Sequence, residues 1–185
     1  MNFNNILIVN KSYGLDSNYI PKNTYINLEN IDYSKEGLCK VVIDSFNKMK
    51  NDAIKCSLDI WIESGYRSYN YQKELYNSYA KKYGKDKADK FSARPGHSEH
   101  QTGLSFDLNT IDDSFFYTLE YQWINNNSYK YGFIIRYPQN KEHITGYKFE
   151  PWHLRYVGYP LSKILYNNGN WITLEEYFGI DSKYR

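Results

Sequence analysis

Two imidazoles and two carboxylates occur in two short segments whose residue types suit a hydrolytic zinc site. His100 and Asp107 belong to the segment SEHQTGLSFD, and Glu150 and His153 belong to the segment EPWH. Catalytic zinc is usually held by three nitrogen or oxygen ligands from the protein, with water in the fourth position. His100, Asp107 and His153 are the candidate ligands. Glu150 is the remaining carboxylate, which could take a proton from the attacking water and pass it to a leaving amine.

One arginine stands out as a candidate for binding negative charge. Arg67 follows a predicted strand in the segment SGYRS, residues 64–68. A planar guanidinium binds a substrate carboxylate or a developing oxyanion well, because it presents paired N–H groups. Arg67 could instead form a structural ion pair with Glu63.

Spacing alone leaves other assignments open for these residue types. His97 and His143 could compete as metal ligands, and Asp107 could cap a turn. Ser64 and Ser98 lie near enough in sequence for a Ser/His/Asp nucleophilic set, although the chain has no GxSxG elbow. It also has no HExxH motif, so the metal site is not identified by a zinc-peptidase helix motif.

Composition and charge narrow the class of protein. The chain has 185 residues, 41% hydrophobic and 24% charged, which favours a single domain over residues 1–185, with residues 1–33 as an N-terminal arm. A formal net charge of +2 is too small to indicate nucleic-acid binding. The run KKYGKDKADK, residues 81–90, mixes both signs and is typical of a solvated helix or loop.

The chain offers no membrane or export signal of its own. No apolar run reaches the length of a membrane span, and the first residues lack a signal peptide's basic start and long apolar stretch. We expect a cytoplasmic protein if Met1 is the native start, and an exported or anchored one if the sequence is truncated. Cys39 and Cys56 form no disulfide framework, and Cys39 is expected to be a buried free thiol.

Hydrophobic periodicity predicts an α+β fold, with helices packed around a small, mainly antiparallel sheet. Helices are predicted from about Ser34 to Cys56, at 71–83, from 115 or 116 to 123 with a stop at Gly132, and at 161–166 and 173–178. Strands are predicted at 58–63, 104–108, 133–137 and within 147–157. Pro151 indicates an edge position or an irregularity in the last of these.

Four segments together resemble a known family. SGYRS (64–68), SEHQTGLSFD (98–107), YGFIIRYP (131–138) and FEPWHLRYVG (149–158) are similar to the zinc D-alanyl-D-alanine carboxypeptidases of the VanY type. They are equally similar to the related VanX and VanXY D,D-peptidases. The flanks LIVNKSYGL (7–15) and WITLEEYF (171–178) extend the resemblance over nearly the whole chain. It implies a zinc site in a central cleft.

The resemblance implies a role for each polar residue of the motifs. His100, Asp107 and His153 would bind one zinc ion per chain, and Glu150 would be the general base. Arg67 would bind substrate and stabilise the tetrahedral intermediate.

Further positions would contact the substrate. Ser98 would hold its terminal carboxylate, Gln72 would lie near the cleft and Trp152 would form a pocket wall. Ser105 stands where the family usually has alanine, a change that we expect to be tolerated.

The resemblance also implies an activity. The missing signal and anchor favour the cytosolic VanXY type, a zinc D,D-peptidase that would hydrolyse the D-Ala-D-Ala dipeptide or remove the terminal D-Ala from peptidoglycan precursors in vancomycin resistance. The alternatives are an L,D-carboxypeptidase that trims tetrapeptide stems and a non-catalytic peptidoglycan-binding module. In each case the partner is a D-Ala-ended peptide or peptidoglycan, and no nucleic acid is expected.

Overall fold

A four-stranded antiparallel sheet with helices on its faces forms the centre of the computed structural model, which describes residues 2–3, 6–25 and 36–184. The strands are β1 (Asn2–Phe3), β2 (Ile6–Leu7), β3 (Ile62–Ser64), β4 (Ser105–Leu108), β5 (Phe133–Ile135) and β6 (His153–Tyr156). The helices are α1 (Lys40–Lys55), α2 (Tyr69–Tyr83), α3 (Lys85–Ala88), α4 (Leu119–Asn127), α5 (Glu142–Thr145), α6 (Leu161–Tyr166) and α7 (Leu174–Phe178). Short 3-10 helices occupy Glu99–Thr102, Asp113–Tyr117, Ser128–Tyr131 and Asn167–Gly169.

The order of the strands places the two motif-bearing strands side by side. The main sheet runs β3-β4-β6-β5, and every neighbouring pair is antiparallel. β1 and β2 form a separate two-stranded pair. The expected α+β class with a small antiparallel sheet is therefore confirmed.

The apolar core lies between α1 and one face of the sheet. Successive side chains of a strand point to opposite faces, so Phe106 of β4 points away from its polar neighbours Ser105 and Asp107. Phe106 packs edge-on against Phe46 of α1, with ring centroids 5.4 Å apart, and against Phe133 of β5 at 5.3 Å. The opposite face of β4 is thereby left free for polar groups.

Most predicted elements are present with shifted ends. The helices predicted at 71–83, 161–166 and 173–178 match α2, α6 and α7 within two residues. The third predicted helix is divided into two 3-10 segments and α4, and it stops at Gly132 in the left-handed conformation. The strands predicted around 58–63, 104–108 and 133–137 are shorter than expected.

Three predictions about local structure were wrong. Ser34 lies outside the described residues, and α1 begins at Lys40 rather than near Ser34 because Cys39 bridges to Thr24 in an extended conformation. Residues 147–150 form no strand, and β6, a central strand, begins only after a turn at Pro151, which is the irregularity that this proline indicated as the alternative to an edge position. Cys39 is a free thiol as predicted, but it is only half-buried.

Candidate functional site

Three predicted ligands lie together in the protein interior. One atom from each of His100, Asp107 and His153 lies within 4.8 Å of the others, and all three residues are buried. His100 comes from a 3-10 helix, Asp107 from β4 and His153 from β6. The pairing of β4 with β6 therefore brings the two strand ligands together, and the 3-10 helix adds the third ligand to the cluster.

Strand register explains why two of the ligands meet. Asp107 and His153 are direct partners in the antiparallel pairing of β4 with β6. Opposite residues of such a pair lie on the same face at close range. Gly103 makes the turn between His100 and β4 in the left-handed conformation, with φ of 68°, and a Cβ there would lie 2.8 Å from the carbonyl oxygen of Gly37.

The hydrogen bonds of His100 determine which of its nitrogens faces the cluster. Nδ1 lies 2.6 Å from the carbonyl oxygen of Gly65, which can only accept, so Nδ1 carries the proton. Nε2 of His100 is left with a lone pair, and it lies 3.3 Å from Asp107 Oδ2 without forming a hydrogen bond. Two acceptors that face each other in a buried place fit a cation between them.

His153 faces the same point with its Nδ1, whereas His100 does so with its Nε2. Its Nδ1 lies 3.2 Å from Asp107 Oδ1, a buried oxygen that has no hydrogen-bond partner. Although burial opposes ionisation of Asp107, His100 and His153 hold the pKa of its carboxyl well below its usual range. The donor set of two imidazoles and one carboxylate therefore fits zinc.

Glu150 lies beside the cluster but outside it. Its Oε2 is 3.6 Å from His153 Nδ1, and its side chain keeps 12% of its surface exposed. Burial raises the pKa of Glu150 to about 7. A carboxyl with a pKa near neutrality can both accept and return a proton at physiological pH. The turn at Pro151 directs the Glu150 side chain toward the ligands. The backbone N–H of Glu150 donates to the carbonyl oxygen of Tyr137.

Arg67 reaches the cluster from the other side. Its Nη2 is 3.3 Å from Asp107 Oδ2, and its Nη1 donates to Gln72 Oε1 at 3.4 Å. The backbone N–H of Arg67 donates to the carbonyl oxygen of His100. The alternative partner Glu63 instead accepts a hydrogen bond from the indole of Trp61 at 2.9 Å. Arg67 is thus directed at the candidate site rather than at the surface.

An open cleft of about 330 Å³ joins these groups. Its lining includes each predicted substrate-contacting residue, namely Arg67, Gln72, Ser98 and Trp152, together with Glu150 and His153. It also includes further side chains that the sequence analysis did not single out: Leu75, Tyr79, Phe91, Ile111, Tyr137 and Tyr147. The volume is in the range of small-molecule and peptide sites.

The other candidate residues lie apart from this cluster. His97 contacts the carbonyl oxygen of Asn10 through Nδ1 at 2.8 Å and packs against Tyr184. His143 is exposed on α5. Within the described part of the chain, neither belongs to a group of three potential metal ligands.

A buried ionic network behind the cluster was missed by the sequence analysis. Glu99 Oε1 accepts hydrogen bonds from Arg136 and Arg155, each at 2.8 Å. Arg136 also forms a bidentate pair with Glu175 at 2.7 and 2.8 Å, and Glu175 accepts from Asn10. Arg136, Glu99 and Glu175 are fully buried. The sequence contained one indication of this network. Arg155 is two residues from His153 and therefore lies on the same face of β6.

The comparisons with known proteins agree with this geometry. Residues 35–159 match the family described as VanY, D-alanyl-D-alanine carboxypeptidase. YodJ of Bacillus subtilis (strain 168) is 42% identical over 187 residues, which cover 95% of this chain and 67% of that protein. A D-alanyl-D-alanine carboxypeptidase of Enterococcus faecium is 34% identical over 94% of this chain and 57% of its own length. The chain therefore spans between half and about two thirds of these two relatives.

A bifunctional relative is also similar over part of the chain. The D-Ala-D-Ala dipeptidase and carboxypeptidase VanXYC of Enterococcus gallinarum is 40% identical over 64% of this chain and 66% of that protein.

Solved structures share the whole fold. The LD-carboxypeptidase LdcB superposes with a TM-score of 0.83 at 40% identity, covering 95% of this chain and 86% of that chain. A VanY D,D-pentapeptidase solved with Zn(II) has a TM-score of 0.76 at 31% identity, covering 93% and 97%. VanYB solved with D-Ala-D-Ala has a TM-score of 0.77 at 30% identity, covering 94% and 96%.

A membrane-crossing element is not found in the described residues. None of their helices combines the length and the apolar character needed to cross a bilayer.

The family match covers most of the chain. The fold is shared at 31% identity with a VanY structure that contains Zn(II), and at 30% identity with VanYB bound to D-Ala-D-Ala. This chain belongs to the VanY family of D-alanyl-D-alanine carboxypeptidases.

Proposed function

We propose that this protein is a zinc carboxypeptidase that releases the terminal D-alanine of peptidoglycan stem peptides. The observation that carries the proposal is the meeting of three buried ligand atoms with Glu150 and Arg67 around one cleft. His100 Nε2, His153 Nδ1 and an oxygen of Asp107 would hold one zinc ion. Bound zinc would polarise the attacking water and the scissile carbonyl group.

Glu150 is the proposed general base. Its carboxylate would accept the proton of the attacking water and then donate it to the nitrogen of the leaving D-alanine. Its position 3.6 Å from a ligand nitrogen brings it within reach of that water. Glu150 lies partly buried in the cleft wall beside the ligands. The same carboxyl can therefore serve in both proton transfers.

Arg67 and Ser98 are the proposed anion-binding residues. Arg67 lies between Asp107 and Gln72 with a buried Nε that has no hydrogen-bond partner. Arg67 lines the cleft, and the N–H groups of its guanidinium suit the oxyanion of the tetrahedral intermediate. Ser98 lies in the cleft lining and would hold the terminal carboxylate of the substrate.

Gln72 and Trp152 have supporting roles in this proposal. Gln72 is buried and donates to the carbonyl oxygen of Ala93 at 2.8 Å while accepting from Arg67. Its amide therefore fixes the direction of the guanidinium besides lining the cleft. Trp152 is nearly buried in the wall next to Glu150, where it would limit the width of the substrate site.

Two stem peptides are candidate substrates. The family match and VanYB with D-Ala-D-Ala favour a D,D-carboxypeptidase that acts on pentapeptides, with the free dipeptide as a further substrate. The higher similarity to LdcB favours an L,D-carboxypeptidase that acts on tetrapeptides. Both reactions would use the same ligands, base and arginine, because only the residue before the scissile bond differs.

A role in glycopeptide resistance would follow from D,D activity in the cytoplasm. VanXYC, a relative over part of the chain, has both dipeptidase and carboxypeptidase activity in its name. Production of this protein in a sensitive host should then lower the pool of pentapeptide precursors and raise vancomycin tolerance. An unchanged precursor pool would contradict the resistance role while leaving the carboxypeptidase chemistry intact.

Release of D-alanine from three synthetic peptides tests the substrate. The zinc-loaded protein is incubated with D-Ala-D-Ala, a pentapeptide stem and a tetrapeptide stem, and free D-alanine is measured. Release from the pentapeptide supports D,D activity, and release from the tetrapeptide alone supports L,D activity. If none of the peptides is cleaved while the protein binds muropeptides tightly, the chain is a binding module and the proposal is wrong.

A further inference from the structure

Glu99 places a carboxylate oxygen behind the proposed metal ligand His153. Its Oε2 is 3.6 Å from His153 Nε2, on the side of the ring away from Asp107. Both residues are buried, and Nε2 of His153 has no hydrogen-bond partner at normal distance. The nearby carboxylate oxygen is therefore suited to accept the proton of this nitrogen.

The position of the metal ligands fixes where that proton must be. If Nδ1 of His153 donates its lone pair toward the point shared with Asp107 and His100, a neutral ring carries its proton on Nε2. A buried N–H left without an acceptor destabilises the folded state. Glu99 Oε2, 3.6 Å away, needs only a slight approach to serve as that acceptor.

The other contacts of Glu99 keep its carboxylate in place. Oε1 accepts from Arg136 and Arg155, and Oε2 accepts from the Ser105 hydroxyl at 3.2 Å. Ser105 is on β4 two residues before Asp107, so it shares the face of the strand that bears this ligand. Three donors from three different segments therefore hold the acceptor that faces His153.

We propose that Glu99 is a positioning residue for the metal centre, which accepts the Nε2–H of His153 and so directs Nδ1 to the metal. This inference rests on the proposed zinc site. A carboxylate behind a metal-bound histidine fixes the tautomer and the ring orientation, and its loss typically weakens metal binding about 10- to 100-fold.

The alternative is that Glu99 only neutralises the buried arginines. Arg136 and Arg155 carry two positive charges, and Glu99 and Glu175 carry two negative charges, within one buried network. Glu175 provides the matched control, because it binds the same Arg136, is equally buried, and does not contact His153. The two roles are therefore separable by experiment.

The test compares zinc affinity in Glu99→Gln and Glu175→Gln by competition with a chromophoric chelator. The residues that contact Glu99 all donate to it. If the amide of Glu99→Gln keeps its oxygen toward the arginines, its N–H groups turn toward His153, where an acceptor is needed. We expect Glu99→Gln to bind zinc about 10- to 100-fold more weakly than the wild type. Glu175→Gln should stay within about threefold of the wild type, because it leaves the histidine's surroundings intact.

The outcomes separate this inference from the proposed function. Equal losses in both variants, or no loss in Glu99→Gln, would overturn the positioning role. A wild-type protein that binds no zinc would instead overturn the zinc site itself, and the inference with it.

A measurement on the wild type covers the case in which a variant does not fold. The imidazole nitrogens of the zinc-loaded protein are observed by long-range ¹H–¹⁵N correlation, with His97→Gln and His143→Gln used for assignment. We expect His153 to be the Nε2–H tautomer with Nδ1 on the metal. An Nδ1–H tautomer, with Nε2 unprotonated next to Glu99, would overturn the proposal.

Discussion

Asp107 and His153 face each other as direct partners across β4 and β6, with Asp107 Oδ1 3.2 Å from His153 Nδ1. This relationship turns two residues far apart in the chain into adjacent ligands on a rigid sheet. Sites on strands hold their geometry better than sites on loops, because backbone pairing fixes the side-chain directions. His100, which comes from a 3-10 helix, is held in turn by its hydrogen bond to Gly65.

Asp107→Asn should abolish tight zinc binding. The amide keeps the size of the side chain but removes the negative charge that a zinc ligand set of two imidazoles needs. We expect an affinity loss greater than the roughly 10- to 100-fold typical of residues behind the ligands. The zinc-dependent rise in melting temperature should disappear as well, since a ligand stabilises only the state that binds it.

Asp113→Asn is the matched control for that change. Asp113 also lines the cleft, but its carboxylate pairs with the exposed Lys148 at 3.2 Å rather than with a histidine. Zinc affinity and the zinc-dependent thermal shift should remain those of the wild type. Equal zinc binding by the Asp107 variant and the wild type would show that the metal is held elsewhere.

Arg67→Ala should separate catalysis from metal binding. We expect kcat/KM for D-alanine release to fall about 10²- to 10³-fold, as when one oxyanion-stabilising donor is removed. Zinc affinity should stay the same or increase, because a positive charge 3.3 Å from the ligand Asp107 is lost. Arg94→Ala, at an arginine paired with Asp89, is the control for a general effect of a lost positive charge. A parallel loss of zinc affinity and activity would contradict the role of Arg67 in substrate chemistry.

Glu150→Gln should stabilise the metal-free protein while it abolishes activity. Burial raises the pKa of Glu150 from 4.5 to about 7, so the folded state binds more protons than the unfolded state between these values. Stability therefore falls as pH rises through this window, and the full penalty, on the order of 3 kcal/mol, is present above pH 7. Chemical denaturation at pH 8 should show the variant as the more stable protein. At pH 4 the two proteins should differ little, and an equal difference at both pH values would exclude ionisation of Glu150 as the cause.

The acid side of the pH–rate profile should depend on the same carboxyl. Only ionised Glu150 can accept the proton of water, so kcat/KM should rise with pH through its pKa. A bound zinc ion adds nearby positive charge and lowers that pKa below the value of about 7 in the metal-free protein. We therefore expect the half-maximal rate below pH 7, measured as D-alanine release from the preferred peptide. A rising limb centred well above pH 7 would assign the base to another group.

The buried ionic network should contribute far more to the free energy of unfolding than surface ion pairs do. Arg136→Met leaves Glu99 and Glu175 without their shared partner, and we expect a loss of about 3–5 kcal/mol in the free energy of unfolding. Lys141→Met removes a partly exposed pair with Glu176 and should cost less than about 1 kcal/mol. Urea denaturation at neutral pH measures both. Similar small losses would mean that the arginine contributes little beyond packing.

Residue types and spacing alone left the metal ligands open, with His97 and His143 as competitors, and the family resemblance pointed to His100, Asp107 and His153, which the structure brings together. Periodicity located α2, where Tyr71, Leu75 and Tyr79 recur, and the short helices α6 and α7 were also expected. The start of α1 was misjudged because Leu38 fits the helical spacing although it is buried through the loop that precedes the helix. Local pattern does not report which partner buries a residue.

The environment of the ligands depended on pairing that the sequence does not display. The alternation in residues 147–150 resembles a strand, but the N–H of Glu150 donates to Tyr137 and Pro151 starts a turn. Glu99 lies between two motif residues and was overlooked, since its importance depends on Arg155 of β6 and Arg136, just after β5, reaching it. Such contacts arise only from the assembled sheet.

In the proposed mechanism, zinc and Glu150 together release D-alanine from stem peptides. The decisive measurement is D-alanine release from pentapeptide and tetrapeptide by metal-free, zinc-reconstituted and zinc-loaded Glu150→Gln protein. We expect release from at least one peptide only in the zinc-reconstituted wild type, with zinc still bound by the inactive variant. Release by the metal-free protein, or undiminished release by Glu150→Gln, would contradict it.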